Sequence, residues 1–561
     1  MSTSRRAALA LSCLAALHAS IASAQFDPAV HGFSFQNYTN AGDPVNLTGA
    51  ELHRMFGDAV CAGGSGPSCR LTPQAAQWAE QISNAMGGGH CEGMAVLSLR
   101  FFLGAQQASD FGADTPYGLS LEGNTDLQRE IGYWWALQAV PPVSTTRVAG
   151  DGFDILDQLE PSLWGEVEES YTVAFFKRNM SGGHAVTPYD VVEYDDGTLA
   201  ILVYDNNFPG EEREILIDPM TGAWTYVAAA NPDDVASRYE GDASSNTLML
   251  IPMSVREGAL QCPFCGSYRA GASGRRTVSV TGDATLLLMD ETGARLGHLP
   301  DGSFVDEIEG ADFVAPTSDD LWRDQSEPQY LVSSSAPIEI AIGDAGYGGG
   351  DSDLGVLGPG YYLGVENLLL DPGQLDVATL LPDRAGLVYE TEGMETPDIV
   401  LAAETDAADW LAIVRSRGDS GGQVIAAEID FADGGSLTLA FDGADAESEM
   451  DLYLTRIDGD SVLEFGHENI VVPNGAELTV LFADFDEDGE GLSIDVDMDR
   501  DGSADMSIPI SDEGGAGPGP GPGGSDDGGG CAVRSGSSGS APALLGFALV
   551  ALALSRRRRA R

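Results

Sequence analysis

The stretch that decides the fold of the first half of this chain is GGHAVTPYDVVEYDDGTLAILVYDNN, from Gly182 to Asn207. It contains two runs rich in β-branched and aromatic residues, which is typical of strands. Asp195-Asp196-Gly197 lies between the runs, and an Asp-Gly turn joins neighbouring strands as a hairpin. The runs YTVAFF, from Tyr171, and REILID, from Arg213, predict further strands on either side. We therefore expect an antiparallel sheet here.

Helices are predicted before this sheet. Thr72-Pro73 precedes QAAQWAEQISNAM, and a threonine N-cap followed by proline in the first turn is typical of a helix start. Apolar residues at helical spacing after Cys91 predict a second helix, and LQREIGYWWALQ and FDILDQL predict two more. Helices followed by an antiparallel sheet are typical of an α+β domain, which we place at residues 25–272.

Beyond Arg276 the helical patterns disappear. Short apolar runs such as TVSVTG, IEIAIGD and SLTLAFD are separated by Gly and Asp turns, a pattern that predicts β-sandwich modules. We place a β-rich module at residues 273–385 and an acidic β-sandwich module at 386–510. The chain is longer than one hydrophobic core usually serves, so a multidomain protein is expected.

The two ends predict export. Residues 1–24 combine Arg5 and Arg6, an apolar run and Ala22-Ser23-Ala24, as a secretory signal peptide does. At the other end a Gly/Pro-rich linker (511–530) precedes Cys531, a short apolar run and an arginine cluster. Residues 531–561 resemble the MYXO-CTERM sorting signal of myxobacterial surface proteins. The resemblance implies transient membrane insertion of the tail and a processing enzyme acting near Cys531.

A plain C-terminal membrane anchor is the alternative for this tail, because positive-inside charge suits both. The expected location is the cell surface at the outer membrane, or the extracellular space after processing. The chain has 87 acidic and 28 basic residues, a formal net charge of −59 at pH 7. Polyphosphate is repelled by such a charge, which excludes nucleic acid as a partner.

Cys91, which follows a run of glycines and opens the second predicted helix, is the candidate nucleophile. Thiol catalysis needs a deprotonated sulfur, a base and a group that orients the base. A helix N-terminus lowers a thiol pKa, and glycines let a substrate backbone come close. His184, at the start of the first hairpin strand, is the candidate base. Asp205, just past the end of the second strand, is the candidate orienting carboxylate.

The hairpin register sets a condition on this trio. Simple pairing about the Asp196-Gly197 turn sets Asp205 opposite Pro188, several residues from His184. A β-bulge near Pro188 or a looser turn is needed to bring the two together. Asp190 is the alternative orienting group, although alternation along its strand makes it less suitable.

The parts that suggest a family are Gly89–Met94, Gly183–Val186 and Tyr204–Asn207. Their order resembles papain-like cysteine peptidases, most closely the branch around bacteriocin-processing peptidases, over roughly residues 71–217. The resemblance implies a papain-like fold, with Cys91 as nucleophile, His184 as base and Asp205 as orienting group. It also implies an amide donor for the oxyanion shortly before the cysteine. Family members commonly have glutamine there, and the candidates in this chain are Asn84 and Gln81.

The remaining cysteines fit an oxidising compartment. Cys61 and Cys69 are well spaced for a small disulfide loop. Cys262 and Cys265 could be redox-active, zinc-binding or locally bridged, and we expect a structural disulfide because no second pair lies nearby. Once Cys13 and Cys531 are assigned to the two end signals, Cys91 is left over.

Two acidic patterns near the C-terminus are candidate calcium loops. Alternate carboxylates around a glycine turn suit the oxygen-rich shell of calcium. Neither pattern has the glutamate that completes an EF-hand, and solvated acidic turns are an equally good interpretation. The candidate ligands are Asp484, Asp486, Asp488, Asp497, Asp499, Asp501 and Asp505.

Together these observations predict an exported cell-surface cysteine hydrolase, most simply a peptidase that forms a thioester acyl-enzyme on peptide or protein substrates. A related thiol acyl-transferase would use the same trio. No cofactor is expected for catalysis, and calcium is expected only in a structural role. The alternative is a non-catalytic surface adhesin or scaffold with acidic, calcium-binding β modules.

Overall fold

The structure is a computed structural model. It describes residues 25–180, 182–227, 238–266, 274–282, 284–317, 327–344, 351–393, 396–417, 423–443, 447–459, 461–485 and 491–513. The predicted signal peptide, the linker beyond residue 513, the predicted sorting signal with Cys531, and Asp486 and Asp488 lie outside the described residues.

The α-helices of the described residues all lie in the first half of the chain. They are α1 (Pro28–His31), α2 (Gly49–Phe56), α3 (Pro73–Ala85), α4 (Cys91–Phe102), α5 (Thr125–Ala136), α6 (Gly152–Leu163) and α7 (Met253–Arg256). The four predicted helices are confirmed as α3 to α6. The α3 helix begins at Pro73 with Thr72 as N-cap, and α6 begins with Asp151, whose carboxylate accepts from Phe153 N and Asp154 N.

The predicted antiparallel sheet is confirmed, and it has eight strands in the order β3-β10-β4-β5-β6-β7-β8-β9. The bounds are β3 (Val148–Gly150), β4 (Tyr171–Phe176), β5 (Gly183–Glu193), β6 (Leu199–Tyr204), β7 (Glu212–Ile217), β8 (Trp224–Val227), β9 (Arg238–Gly241) and β10 (Leu248–Pro252). A separate pair, β1 (Cys61–Gly63) and β2 (Arg70–Leu71), lies before α3.

Helices cover both faces of this sheet. On one face α6 contributes Ile155 and Leu159 to a core with Val173 and Val203. On the other face α4 packs on β5, where Thr187 Oγ1 donates to Ala95 O at 2.9 Å. A Cβ on Gly93 would lie 2.1 Å from the carbonyl oxygen of Ile131 in α5, so only glycine permits this approach of the two helices. The central position of α4 therefore fixes its N-terminus at the sheet.

The remainder of the described chain is one large β-sandwich. Its first sheet has nine strands, β15-β16-β11-β18-β19-β22-β23-β26-β27, and its second has eleven, β14-β13-β12-β17-β20-β21-β24-β25-β28-β29-β30. The bounds are β11 (Arg275–Thr281), β12 (Ala284–Asp290), β13 (Arg295–His298), β14 (Phe304–Asp306), β15 (Asp312–Val314), β16 (Gln329–Ser333), β17 (Ile338–Asp344), β18 (Asp351–Gly358), β19 (Tyr361–Leu369), β20 (Leu375–Leu380), β21 (Ala385–Thr391), β22 (Asp398–Glu404), β23 (Asp409–Ser416), β24 (Gln423–Asp430), β25 (Ser436–Asp442), β26 (Glu447–Asp458), β27 (Ser461–Pro473), β28 (Glu477–Leu481), β29 (Gly491–Asp497) and β30 (Met506–Ser511).

The predicted division of this region at residues 385 and 386 is wrong. That boundary falls inside β21, and both sheets take strands from either side of it. A single hydrophobic core runs between the sheets from Val278 to Ile510. Short strands with turn residues between them predict a sandwich, but they do not reveal which strands share a core, so the sequence predicts two modules where the structure has one.

An apolar interface joins the two halves of the molecule. Trp78 and Ile82 of α3 share one hydrophobic core with Leu357, Val400 and Leu411 of the nine-stranded sheet. The α3 helix thus covers the outer face of that sheet, and the sandwich is packed against the helical half. Among the described residues no helix is long and apolar enough to span a bilayer.

Candidate active site

Cys91 is the first residue of α4 and is fully buried. A 3-10 turn, Met86–Gly88, precedes it, and Gly89 has a φ of 130°, which a residue with a side chain rarely adopts. The glycine run therefore makes the sharp entry that places a cysteine at a helix N-terminus. The thiol is outside both disulfides and donates a hydrogen bond to Thr317 O at 3.2 Å.

The β-bulge required by the register of the hairpin is present. Thr187 pairs with Tyr204 and Pro188 with Val203, but the next pair is Asp190 with Leu202, so Tyr189 is the extra residue. A shift of one residue turns every following side chain to the other face of a sheet. The turn is also one residue looser than simple pairing requires, because Glu193 pairs with Leu199. The two shifts together set Asp205 opposite Val186, on the same face as His184 and diagonal to it.

His184 and Asp205 are in direct contact. His184 Nε2 lies 2.8 Å from Asp205 Oδ1, and both side chains are fully buried. Asp205 Oδ1 also accepts from Asn207 N at 2.8 Å, and Oδ2 accepts from Tyr226 OH. Burial by itself would raise the pKa of Asp205, but the charge and hydrogen bond of His184, with the bonds from Tyr226 and Asn207, hold it below its usual value. Asp205 is therefore a carboxylate at neutral pH.

Direct contacts join the start of α4, the strand β5 and the loop after β6. Cys91 packs against Ala185, the residue that follows His184. Asn206, the residue after Asp205, donates its side-chain amide to Cys91 O at 3.0 Å and to Ala185 O at 3.3 Å. The structure thus brings the neighbourhoods of all three predicted catalytic residues together. Asn206 was part of the quoted motif, but its role in tying α4 to β5 was not predicted.

Asp190, the alternative orienting group, lies elsewhere. Its carboxylate accepts from Gln25 Nε2 at 3.2 Å and from Val191 N at 2.9 Å. The bulge explains this difference, since it separates Asp190 from the part of the strand that holds His184.

The structure does not show either predicted oxyanion donor beside the thiol. The Gln81 side chain belongs to the interface with the sandwich, where Nε2 donates to Tyr362 OH at 3.3 Å and Oε1 accepts from Ser279 Oγ at 3.1 Å. Asn84 is exposed to solvent, whereas Cys91 is fully buried. Proximity in sequence was misleading because the turn before Cys91 separates α3 from α4 and leaves α3 facing the sandwich.

A different carboxamide contacts the residue that precedes Cys91. Asn37 Oδ1 accepts from His90 N at 2.7 Å, and Asn37 N donates to Asn206 O at 2.9 Å. The Nδ2 of Asn37 is buried and makes no hydrogen bond within the described residues. The Asn37 side chain therefore contacts the chain one residue before the Cys91 backbone N–H. No sequence signal points to Asn37, which lies more than fifty positions before the cysteine.

His90 holds the segment that carries Asn37. Its ring stacks on Tyr38 at a centroid distance of 3.9 Å, and Nδ1 lies 2.7 Å from Tyr38 O. Nε2 lies 2.8 Å from Asn46 Oδ1. Burial lowers the pKa of His90 to about 4, with the bond to Tyr38 opposing the effect. His90 thus fixes the position of the Tyr38 and Asn46 segment from a buried position.

A buried ion pair follows Cys91 directly. Glu92 contacts Arg256 Nη2, and both side chains are fully buried. The same Arg256 nitrogen donates to Thr172 Oγ1 at 2.8 Å, and Nη1 donates to Ile251 O at 3.1 Å. Burial lowers the pKa of Arg256, while the charge and hydrogen bond of Glu92 oppose that effect. Glu92 thereby ties the first turn of α4 to β4 and β10.

Both predicted disulfides are present. Cys61 is bonded to Cys69 and Cys262 to Cys265, with Cα atoms 5.3 and 5.4 Å apart. Phe264, inside the second disulfide loop, packs against Trp78 and Phe56. Both disulfides therefore border the helical half of the molecule.

Part of the second acidic pattern converges in space. Carboxylate oxygens of Asp497, Asp499 and Asp501 lie within 4.8 Å of one another. Asp497 also accepts from Gly502 N at 2.7 Å, and Asp505 accepts from Met498 N at 2.8 Å. These bonds close the loop by themselves, and calcium binding stays a prediction.

Comparison with models of known families, with curated proteins and with solved structures found no match to this chain.

Proposed function

We propose that this protein is an exported thiol hydrolase that cleaves amide bonds in peptides or proteins through a thioester acyl-enzyme. One observation carries the proposal: the buried Asp205 carboxylate fixes the ring of His184, on the strand that packs against the cysteine at a helix N-terminus. A base, its orienting group and a nucleophile are the parts that such chemistry needs. The papain-like relationship belongs to the same proposal.

The hydrogen bond of Nε2 to Asp205 determines which nitrogen acts as the base. With Nε2–H donated to the carboxylate, Nδ1 is the nitrogen that takes the proton of the Cys91 thiol. The sulfur then adds to the substrate carbonyl carbon, and the carbonyl oxygen becomes an oxyanion. The imidazolium returns its proton to the leaving amine and a thioester remains. Water, deprotonated by Nδ1, hydrolyses the thioester and restores the thiol.

Two donors serve the oxyanion in this proposal. The Cys91 backbone N–H opens α4, and first-turn amides of a helix point out of its N-terminus. The second donor in this proposal is the side-chain amide of Asn37, whose orientation is set because its oxygen accepts from His90 N. Removing one such donor typically costs a factor of about 10² to 10³ in kcat.

The test compares the wild type with Cys91→Ala and Asp205→Asn on fluorescently labelled casein over long incubations. We expect Cys91→Ala to abolish hydrolysis and Asp205→Asn to lower it about 10²- to 10⁴-fold. A mass increase on the Cys91 peptide that hydroxylamine removes would report the thioester. His53→Gln is the control, because His53 pairs with Asp58 on the surface and touches none of the proposed machinery.

The second candidate function is a surface scaffold, and the complete burial of the thiol is the observation that favours it. If Cys91→Ala cleaves casein at the wild-type rate, and the wild type yields no acylated Cys91 peptide, the scaffold is the better account. Export, surface location and processing near Cys531 are part of the proposal. They rest on the two end segments, and chemical labelling of intact cells tests them.

A further inference from the structure

A short segment of the β-sandwich lies over the candidate thiol. The residues Ala315–Thr317, which we call the covering segment, follow β15 of the nine-stranded sheet. They come from the sandwich, Ala315 belongs to the hydrophobic core that the helical half shares with the nine-stranded sheet, and Ala315 and Thr317 are both buried. The segment therefore lies where the sandwich meets the half of the molecule that holds Cys91.

Side chains of the helical half form hydrogen bonds with the backbone of this segment. Gln138 Oε1 accepts from Thr317 N at 2.6 Å and from Thr317 Oγ1 at 2.9 Å. Arg147 Nη1 donates to Ala315 O at 3.4 Å, and its Nη2 donates to Gln138 O at 3.3 Å. Pro316 O lies so near Gly183 that a Cβ there would be 2.9 Å away. The covering segment is thus held by backbone contacts, as a bound peptide would be.

The remaining contact of the segment is with the nucleophile itself. The Cys91 thiol donates to Thr317 O at 3.2 Å, and the side chains of Cys91, His184 and Asp205 are all fully buried. A thiolate has no proton to donate and would repel a carbonyl oxygen. This contact therefore requires the protonated thiol, which is the inactive form of the nucleophile.

We propose that the protein is latent as folded, and that the covering segment is an intramolecular inhibitor that occupies the place of a substrate backbone at Cys91. This inference rests on the proposed function and names the regulation of the same site. Withdrawal of Ala315–Thr317 uncovers the sulfur and removes the carbonyl that holds it protonated. A peptide substrate then enters along the path that the segment leaves.

The test measures the alkylation rate of Cys91 with iodoacetamide, by mass spectrometry of the Cys91 peptide so that other thiols do not interfere. Ala315→Glu sets a charge in the buried position and expels the segment. We expect Cys91 of this variant to be alkylated at least roughly tenfold faster than Cys91 of the wild type. The matched control is Ala407→Glu, the same change at an exposed alanine of the sandwich, which should alkylate at the wild-type rate.

A second variant guards against misfolding. Gln138→Leu keeps the side-chain volume but removes the oxygen that accepts both Thr317 bonds, so it should accelerate alkylation in the same direction. Near-UV circular dichroism and the unfolding temperature show whether each variant is folded. As a measurement on the wild type alone, alkylation should be at least about a hundredfold slower than in the urea-unfolded chain.

Casein hydrolysis by the same variants separates the two proposals. Faster alkylation together with faster hydrolysis supports both. Faster alkylation without hydrolysis supports the covering segment and counts against the peptidase. Latency is overturned if Cys91 in the folded wild type is alkylated as fast as in the unfolded chain. It is also overturned if Ala315→Glu and Gln138→Leu are folded and both have the wild-type alkylation rate, or if the wild type hydrolyses casein as fast as these two variants do.

Discussion

Acidification should destabilise the helical half of the protein through His90. The ring is completely buried, stacked on Tyr38, and its pKa in the folded protein is about 4. In the unfolded chain the pKa of histidine is about 6.5. Between these two values the unfolded chain binds a proton that the folded protein does not bind. The free energy of unfolding therefore rises with pH in this window. The contribution of His90 is fully present above about pH 6.5 and is lost as the pH falls towards 4.

The magnitude follows from the two pKa values. They differ by about 2.5, and each pKa unit corresponds to about 1.36 kcal/mol, so the full contribution of His90 is about 3 kcal/mol. Between pH 7 and pH 5 about 2 kcal/mol of it is lost. Ordinary carboxylates stay ionised over that interval and contribute little to the change.

The assay is urea unfolding of the wild type and of His90→Gln at pH 7 and pH 5, followed by tryptophan fluorescence. The glutamine side chain of the variant does not titrate, so the wild type should lose about 2 kcal/mol more than the variant between the two pH values. Both ring nitrogens of His90 face oxygen atoms, Tyr38 O and Asn46 Oδ1, and an imidazolium could donate to both. Equal losses in the two proteins would show that the buried ring is already charged and would refute the reasoning.

Two further predictions concern buried charge. Arg256→Met leaves Glu92 buried without its partner and should lower the free energy of unfolding by about 3 to 5 kcal/mol. The double variant Glu92→Gln/Arg256→Met should recover most of this loss. Urea unfolding of the wild type, the two single variants and the double variant measures the coupling free energy between the two side chains. Burial, with Asp353 and Glu80 nearby, raises the pKa of Glu366 to about 8. The folded protein binds the Glu366 proton more tightly than the unfolded chain does, so this proton stabilises the fold below about pH 4.5 and its contribution is lost as the pH rises through 8. The unfolding temperature of the wild type should therefore fall over this range more steeply than that of Glu366→Gln.

Local patterns were enough to predict the helices and strands around the site. Glycine punctuation, the Thr72-Pro73 start and alternation along the hairpin each act within a few residues, and α3 to α6 and β4 to β7 lie where these patterns place them. The need for a looser turn or a bulge near Pro188 also followed from counting along two strands. The looser turn and the bulge at Tyr189 are the local events that set Asp205 on the face of His184.

The errors concern contacts between distant segments. Closeness to Cys91 in sequence predicts an oxyanion role for Gln81, but α3 turns that side chain into an interface that only the folded sandwich creates. Thr317 contacts the thiol and Asn37 contacts the residue before it, from positions far away on either side, and neither lies in a recognisable motif. A single sequence carries no signal for such contacts, because they depend on how whole layers pack.

The polar groups around Cys91 are an argument for chemistry rather than for stability. Replacing a buried ion pair with apolar residues of similar volume is often neutral or stabilising, so a scaffold gains little from one. Here Glu92 with Arg256 lies immediately beside the cysteine, and His184 with Asp205 lies on the strand against which it packs. Each pair is buried without exposure to water, which is costly unless the fixed geometry has a use. In the function proposed above, the fixed imidazole of His184 and the fixed first turn of α4 both serve the sulfur of Cys91, whereas the scaffold alternative needs neither.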